Sequence, residues 1–171
     1  MKKIIYLTIL IIMTTTGCSQ TALDYYNTGC KKMENKDYKG AIDDFNKAIE
    51  KTNESYPYVG RGSAKLFSND VSGALADFTK AIEINPKESS AYSNRASIKF
   101  NMSDFKGAIE DYSMAIGLNP QDKEAYCQRG FVKQQIHENY GGIVDLSIAI
   151  SLDSTKSLIK SEEVSGCEKY W

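Results

Sequence analysis

Residues 37–50 read DYKGAIDDFNKAIE, and the pattern returns three times. It reappears as DVSGALADFTKAIE at 70–83, as DFKGAIEDYSMAIG at 104–117, and in a weaker form as ENYGGIVDLSIAIS at 138–151. Ala41, Ala74, Ala108 and Gly142 mark the register, with steps of 33, 34 and 34 residues. A period of that size predicts an array of small helical units stacked into a solenoid. Within each copy the apolar residues fall at helical spacing, as at Ile42, Phe45, Ala48 and Ile49.

Each copy is preceded by a second, less regular segment. These segments are DYYNTGCKKME, YVGRGSAKLFS, YSNRASIKFNM and YCQRGFVKQQI, with an aromatic at Tyr25, Tyr58, Tyr92 and Tyr126. A small residue follows four positions later, at Gly29, Gly62, Ala96 and Gly130. A separation of four places the pair on one helix face. The sequence therefore predicts eight helices in four antiparallel pairs. Small residues let the paired helices approach, and Phe45, Phe78, Tyr112 and Leu146 fill the space between units, as dense packing requires. Asn85–Pro86 and Asn119–Pro120 end second helices, because proline cannot continue a helix and restricts the residue before it.

These positions resemble the tetratricopeptide repeat, a helix–turn–helix unit of 34 residues. The resemblance runs from about Leu23 to Ser154 and departs at the ends, where Asn53 and Ser154 replace proline, Gly142 replaces alanine and Leu146 replaces an aromatic. It implies an all-α, right-handed α-solenoid of four such units over residues 22–154, with a cap helix and tail over 155–171. Gly141–Gly142 should weaken the last second helix by about 1 kcal/mol per glycine relative to alanine.

The first 20 residues, MKKIIYLTILIIMTTTGCSQ, place two lysines before a run of ten largely apolar residues and a Gly–Cys pair. This is the layout of an export signal, and the run is shorter than the roughly 20 residues of a spanning helix. Gly17–Cys18–Ser19 resembles the lipobox of bacterial lipoproteins, although Thr15 stands where that family prefers leucine. The resemblance implies a signal peptide over 1–17 and a lipidated Cys18 opening a short linker over 18–21. The anchor would be diacylglycerol and a palmitate-type acyl chain. In that family a serine after the cysteine favours the outer membrane of a two-membrane envelope, so the resemblance implies an anchor there, facing the periplasm.

The chain is 42% hydrophobic and 25% charged, with a net charge of −1 that becomes −3 without Lys2 and Lys3. Such a balance gives no basic footprint for nucleic acid. The single histidine, His137, falls in a turn, and no Cys/His cluster has metal-ligand spacing. Asp44, Asp77, Asp111 and Asp145 recur at one position, but stacked units stand about 9–10 Å apart. That is too far to share a cation whose oxygen ligands lie at roughly 2.3–2.6 Å. Lys32, Lys65, Lys99 and Lys133 form a parallel ladder, expected to be solvated or salt-paired. We therefore expect no enzyme, no cofactor and no metal.

Of the remaining cysteines, Cys30 and Cys127 are three units apart, roughly 25–30 Å, and cannot bridge, since bonded Cα atoms lie within about 7 Å. Cys127 and Cys167 can pair if the tail folds back; the alternative is three free thiols.

The tetratricopeptide resemblance further implies a concave groove lined by the first helices. The groove positions are Tyr26, Cys30 and Met33; Val59, Ser63, Leu66 and Phe67; Ser93, Ser97 and Phe100; and Cys127, Phe131 and Gln134. The clamp that binds terminal carboxylates in the chaperone-binding subfamily is missing, because its positions hold Tyr26, Cys30, Gly60, Ser90 and Asn94. The expected function is a protein-binding scaffold of the cell envelope. The alternatives are a ligand- or glycan-binding lipoprotein and an accessory subunit of an envelope enzyme.

Overall fold

The structure is a computed structural model that describes residues 20–153. Among the described residues it contains eight α-helices and no strand. They are α1 (Ala22–Glu34), α2 (Tyr38–Lys51), α3 (Tyr56–Phe67), α4 (Val71–Ile84), α5 (Ser89–Asn101), α6 (Phe105–Leu118), α7 (Lys123–Gln135) and α8 (Asn139–Asp153). Consecutive helices pack pairwise, and first helices also touch the next first helix, α1 on α3, α3 on α5 and α5 on α7. Among the described residues, no helix packs on one beyond the adjoining unit. This is an α-solenoid of four helix–turn–helix units.

The Asp-x-x-Gly opening of the repeated stretch is a helix cap. The carboxylates of Asp37, Asp70 and Asp104 accept hydrogen bonds from the backbone N–H of Gly40, Gly73 and Gly107 at 3.0, 2.9 and 3.0 Å. A Cβ on any of these glycines would run into the capping carboxylate. Before each cap the chain turns through one left-handed residue, Lys36, Asn69, Ser103 or His137, with φ between 59 and 68°. The next amide bonds back five residues, as from Asp37 N–H to Lys32 C=O at 2.9 Å. The amide before it bonds back three, Lys36 N–H to Met33 C=O at 2.9 Å. This is a Schellman closure made without glycine. The unit-to-unit turns at Asn85 and Asn119 use side chains, whose oxygens accept from Lys87 and Gln121 N–H at 3.1 and 3.3 Å.

Aromatic rings set the spacing of the helices. Phe45 is buried between α1 and α3: a Cβ built on Gly29 or on Gly60 would stand 2.7 Å from its ring. Gly62 meets Phe78 in the same way at 2.8 Å. In the fourth unit the contact is backbone on backbone. A Cβ on Gly142 would approach the Gly130 carbonyl to 2.8 Å. Gly142 thus replaces the alanine of other units to let α7 and α8 draw closer, an offset to the helix-propensity loss expected of it.

Helix α8 leaves Tyr140, Ile143, Val144 and Ile150 exposed, Tyr140 to 84%. The cap helix and tail expected over 155–171, and the leader with Cys18, lie outside the described residues.

Replacing Gly60 with leucine should force the Phe45 ring out of place and lower stability by about 1–3 kcal/mol. Phe45→Ala should lower it by about 3–5 kcal/mol. Urea unfolding followed by circular dichroism measures both.

Candidate functional site

The recurring aspartates are buried ion-pair acceptors. Asp77 receives Arg61 in a two-pronged arrangement, Nε at 2.9 Å and Nη2 at 2.6 Å, with Lys65 at 2.8 Å. Asp111 receives Arg95 at 2.8 and 2.8 Å and Lys99 at 2.8 Å. Asp145 receives Arg129 at 2.9 and 2.7 Å and Lys133 at 2.8 Å. Asp44, in a unit where Thr28 takes the arginine position, pairs with Lys32 at 2.6 Å. The lysine ladder is therefore salt-paired.

Each arginine also links units. Its Nη1 donates to the preceding second helix, to Asn46 Oδ1 at 2.7 Å, Thr79 Oγ1 at 3.4 Å and Ser113 Oγ at 3.0 Å. Its guanidinium lies over the tyrosine three residues earlier, Tyr58, Tyr92 or Tyr126, at 5.4–5.7 Å. The Tyr-x-x-Arg repeat behind this was visible in the sequence as YVGR, YSNR and YCQR, and it is the signal that a search for acids and lysines passes over. Burial pushes the Asp111 and Asp145 carboxyls up, but their arginine and lysine partners outweigh it and hold both below the usual carboxylate range.

The face built by the first helices has two halves. In the first, Tyr26, Cys30 and Met33 are half-buried against Phe45 and Ala41, and Val59 and Leu66 against Phe78. Tyr26 sits edge-on to Tyr56 at 4.8 Å. Burial, with Cys30 adding, pushes its phenol up to about 12. Ser63 is half-buried, and Phe67, 64% exposed, stacks on Tyr38 at 5.5 Å.

The second half is polar. A cavity of about 210 Å³ lies between α5 and α7 with Tyr112 of α6 at its wall. Ser93 and Ser97, both expected in the groove, line it. So do Ser90, Asn94, Asp122, Glu124, Ala125 and Gln128. Ser97 Oγ and the Tyr112 hydroxyl share a 2.8 Å hydrogen bond, and burial pushes the Tyr112 phenol up to about 12. Asp122 caps α7 through Ala125 N–H at 3.0 Å. Partial burial, with Asp122 adding, raises the Glu124 carboxyl above its ordinary value.

Of the other expected groove residues, Phe100 packs half-buried on the core and against Phe105 at 5.8 Å, and Phe131 and Gln134 are half-buried. Cys127 is 4% exposed and disulfide-bonded, so it offers no accessible surface. Cys30 is free, and Cys167 lies outside the described residues. Gln128 was missed because it follows Cys127 by one position, a turn of about 100° along the helix.

The family model of the tetratricopeptide repeat matches residues 89–122, the third unit from α5 to the turn after α6. No curated protein matches the chain. The crystal structure of MamA superposes with a TM-score of 0.71 at 19% identity, over 88% of this chain and 86% of that one. The first TPR of Spaghetti (RPAP3) bound to the HSP90 peptide SRMEEVD gives 0.66 at 26% identity, over 70% of this chain and 95% of that one. YrrB, described as a TPR protein with an unusual peptide-binding site, gives 0.65 at 19% identity, over 79% and 70%. The chain contains a tetratricopeptide repeat and folds as a solenoid of that type.

Asp111→Ala should destabilise by about 3–5 kcal/mol, because it leaves Arg95 and Lys99 unpaired. Asp43→Ala, at an exposed position beside Asp44, should stay within about 0.5 kcal/mol. Asp111 and Asp145 have depressed folded-state values. Their contribution is complete above the unfolded carboxylate value near pH 4 and is lost as pH falls through the lower folded values. Melting temperature against pH should show this acid-side loss, and Asp111→Asn should shrink it.

Proposed function

We propose that this protein is a non-catalytic scaffold of the cell envelope that holds an extended segment of a partner protein along the face built by its first helices. The observation that carries the reading is a division of labour between the faces. The recurring acids and bases are paired with one another at the flank. The first-helix face instead keeps half-buried aromatics and an open polar cavity outside the ion-pair network. Such a preformed surface lowers the ordering cost of its partner.

Solved relatives in fold support a peptide as the occupant. RPAP3 holds an HSP90 peptide, and YrrB is described by its peptide-binding site. Tetratricopeptide proteins are in general interaction modules without catalysis, and the described residues hold no group of three or more metal-binding side chains. The acidic SRMEEVD peptide of RPAP3 is a poor model for the occupant here. The cavity lining has two carboxylates and no lysine or arginine.

The envelope placement rests on the leader and on Cys18, which we take to be the lipidated N-terminus of the mature chain. The disulfide at Cys127 fits an oxidising compartment, and we assign its other half to Cys167. No described helix is long and apolar enough to cross a membrane, so attachment would fall to the acyl chains.

Two measurements test these parts separately. Cys18→Ser should move the protein from the membrane to the soluble fraction; unchanged membrane retention would overturn the anchor. A photo-crosslinking residue at Phe67 or Gln134 should capture a partner in intact cells, whereas one at Lys80 on α4 should not. Capture from Lys80 alone would overturn the groove.

A further inference from the structure

We propose that the cavity between α5 and α7 is a receptor for one basic side chain of the partner segment, arginine before lysine. This deepens the scaffold reading and rests on it, since it names the chemistry that the second half of the face selects.

The cavity has hydrogen-bonding groups left over. Ser93 Oγ is buried and has no hydrogen-bond partner. Gln128 is 8% exposed, lines the cavity and makes no side-chain hydrogen bond among the described residues. A buried polar group without a partner costs about 1–3 kcal/mol. Ser93 Oγ carries that cost, and the Gln128 amide beside it reaches the open volume with its hydrogen bonds unused, which marks the cavity as a place that a ligand completes. Other lining groups are already engaged: Ser90 Oγ donates to Glu88 at 2.8 Å, and Ser97 shares its bond with Tyr112.

Charge then selects the ligand. Asp122 and Glu124 line the cavity, and no lysine, arginine or histidine does. Glu124 makes no ion pair among the described residues; its neighbour Lys123 bonds Asp153 at 2.6 Å and only partly offsets the Glu124 charge. An anion entering would meet two carboxylates. A metal ion would lack ligands, since the described residues hold no cluster of three or more suitable side chains. An organic cation meets the two carboxylates and the free oxygens of Ser93 and Gln128 together. The volume of about 210 Å³ lies below the roughly 300–1,000 Å³ of sites for drug-sized molecules and suits a single side chain. Arginine is favoured over lysine because its five N–H groups are held in a planar fork that serves several acceptors at once.

The first helices supply the reason that the cavity remains acidic. Of their cations in units three and four, Arg95, Lys99, Arg129 and Lys133 are bound to Asp111 or Asp145 on the flank, and Lys123, at the start of α7, pairs with Asp153. None of them lines the cavity, and only Lys123 offsets the Glu124 charge, from outside the lining.

The test titrates the isotopically labelled full chain with N-acetyl-arginine amide, following backbone amide resonances. N-acetyl-citrulline amide, the uncharged isostere, and N-acetyl-aspartate amide are the comparisons. Saturable shifts at Ser93, Asn94 and Gln128 are expected with the arginine probe. The citrulline probe should bind about tenfold more weakly, and the aspartate probe should not bind. Glu124→Gln should weaken arginine binding about fivefold, and Glu110→Gln, at an exposed site on α6 outside the cavity, should leave it unchanged. Burial already disfavours the Glu124 charge, so Glu124→Gln keeps the fold, which its amide spectrum verifies.

Equal binding of arginine and citrulline, shifts centred elsewhere, or no saturable shift up to the solubility limit would each overturn the proposal. If the probes fail while crosslinking from Phe67 or Gln134 captures a partner, the cavity assignment falls and the scaffold reading stands. If the probes bind but capture occurs only from Lys80, the scaffold reading falls instead.

Discussion

The ring of Phe45 touches the backbone of two units at once, and the geometry of the array follows from that contact. It is wedged between Gly29 of its own unit and Gly60 of the next, where even a methyl group on either glycine would be too close. The ring therefore sets how near α1 and α3 approach α2. Phe78 takes the corresponding place against Gly62 of its own unit and packs with Ile98 of the next, which carries the stack forward. At Tyr112 the same wedge gains a hydroxyl, which bonds Ser97 and lines the polar cavity. One residue thus belongs to the core by its ring and to the candidate site by its oxygen. That is how a repeated framework acquires a local specialisation without a change in its packing.

Electrostatics divides the molecule in a complementary way. Replacing a buried ion pair by apolar groups is often neutral or stabilising, so the Asp77, Asp111 and Asp145 clusters are poor candidates for the main source of stability. Their geometry suggests register as the role. Each arginine grips the aspartate of its own unit with two nitrogens and reaches the preceding unit with the third. A slip of one residue between units would strand a charge. By drawing the arginines and their companion lysines to the flank, the same clusters leave the α5–α7 cavity lined by acids and by no lysine or arginine.

Much of this was legible in the sequence, because a repeat states its packing several times over. The aromatic at 45, 78 and 112 and the small residue at 29, 62 and 96 appear in register, and the structure gives each the packing role that register implied. The Asp-x-x-Gly cap and the Tyr-x-x-Arg pair were equally regular. Their meaning depends on hydrogen bonds that periodicity does not encode. Gly142 read as a weak point because propensity is local, whereas its partner Gly130 lies across the helix pair. The cavity was least legible. It needs Ser93 and Gln128 from different units and Tyr112 from a third helix, and none of these belongs to a repeated pattern of polar residues.

The turn inside each unit has a practical consequence. Lys36, Asn69, Ser103 and His137 all occupy the left-handed region, at equivalent points 33 or 34 residues apart, and all are exposed. Their side chains decorate one edge of the solenoid away from its packing. The last is the sole imidazole in the chain, placed at the hinge of the unit that departs furthest from the repeat. The protein thus carries a built-in spectroscopic reporter: a single imidazole, whose ring signals need no sorting from those of other histidines, at the closing turn of its terminal unit.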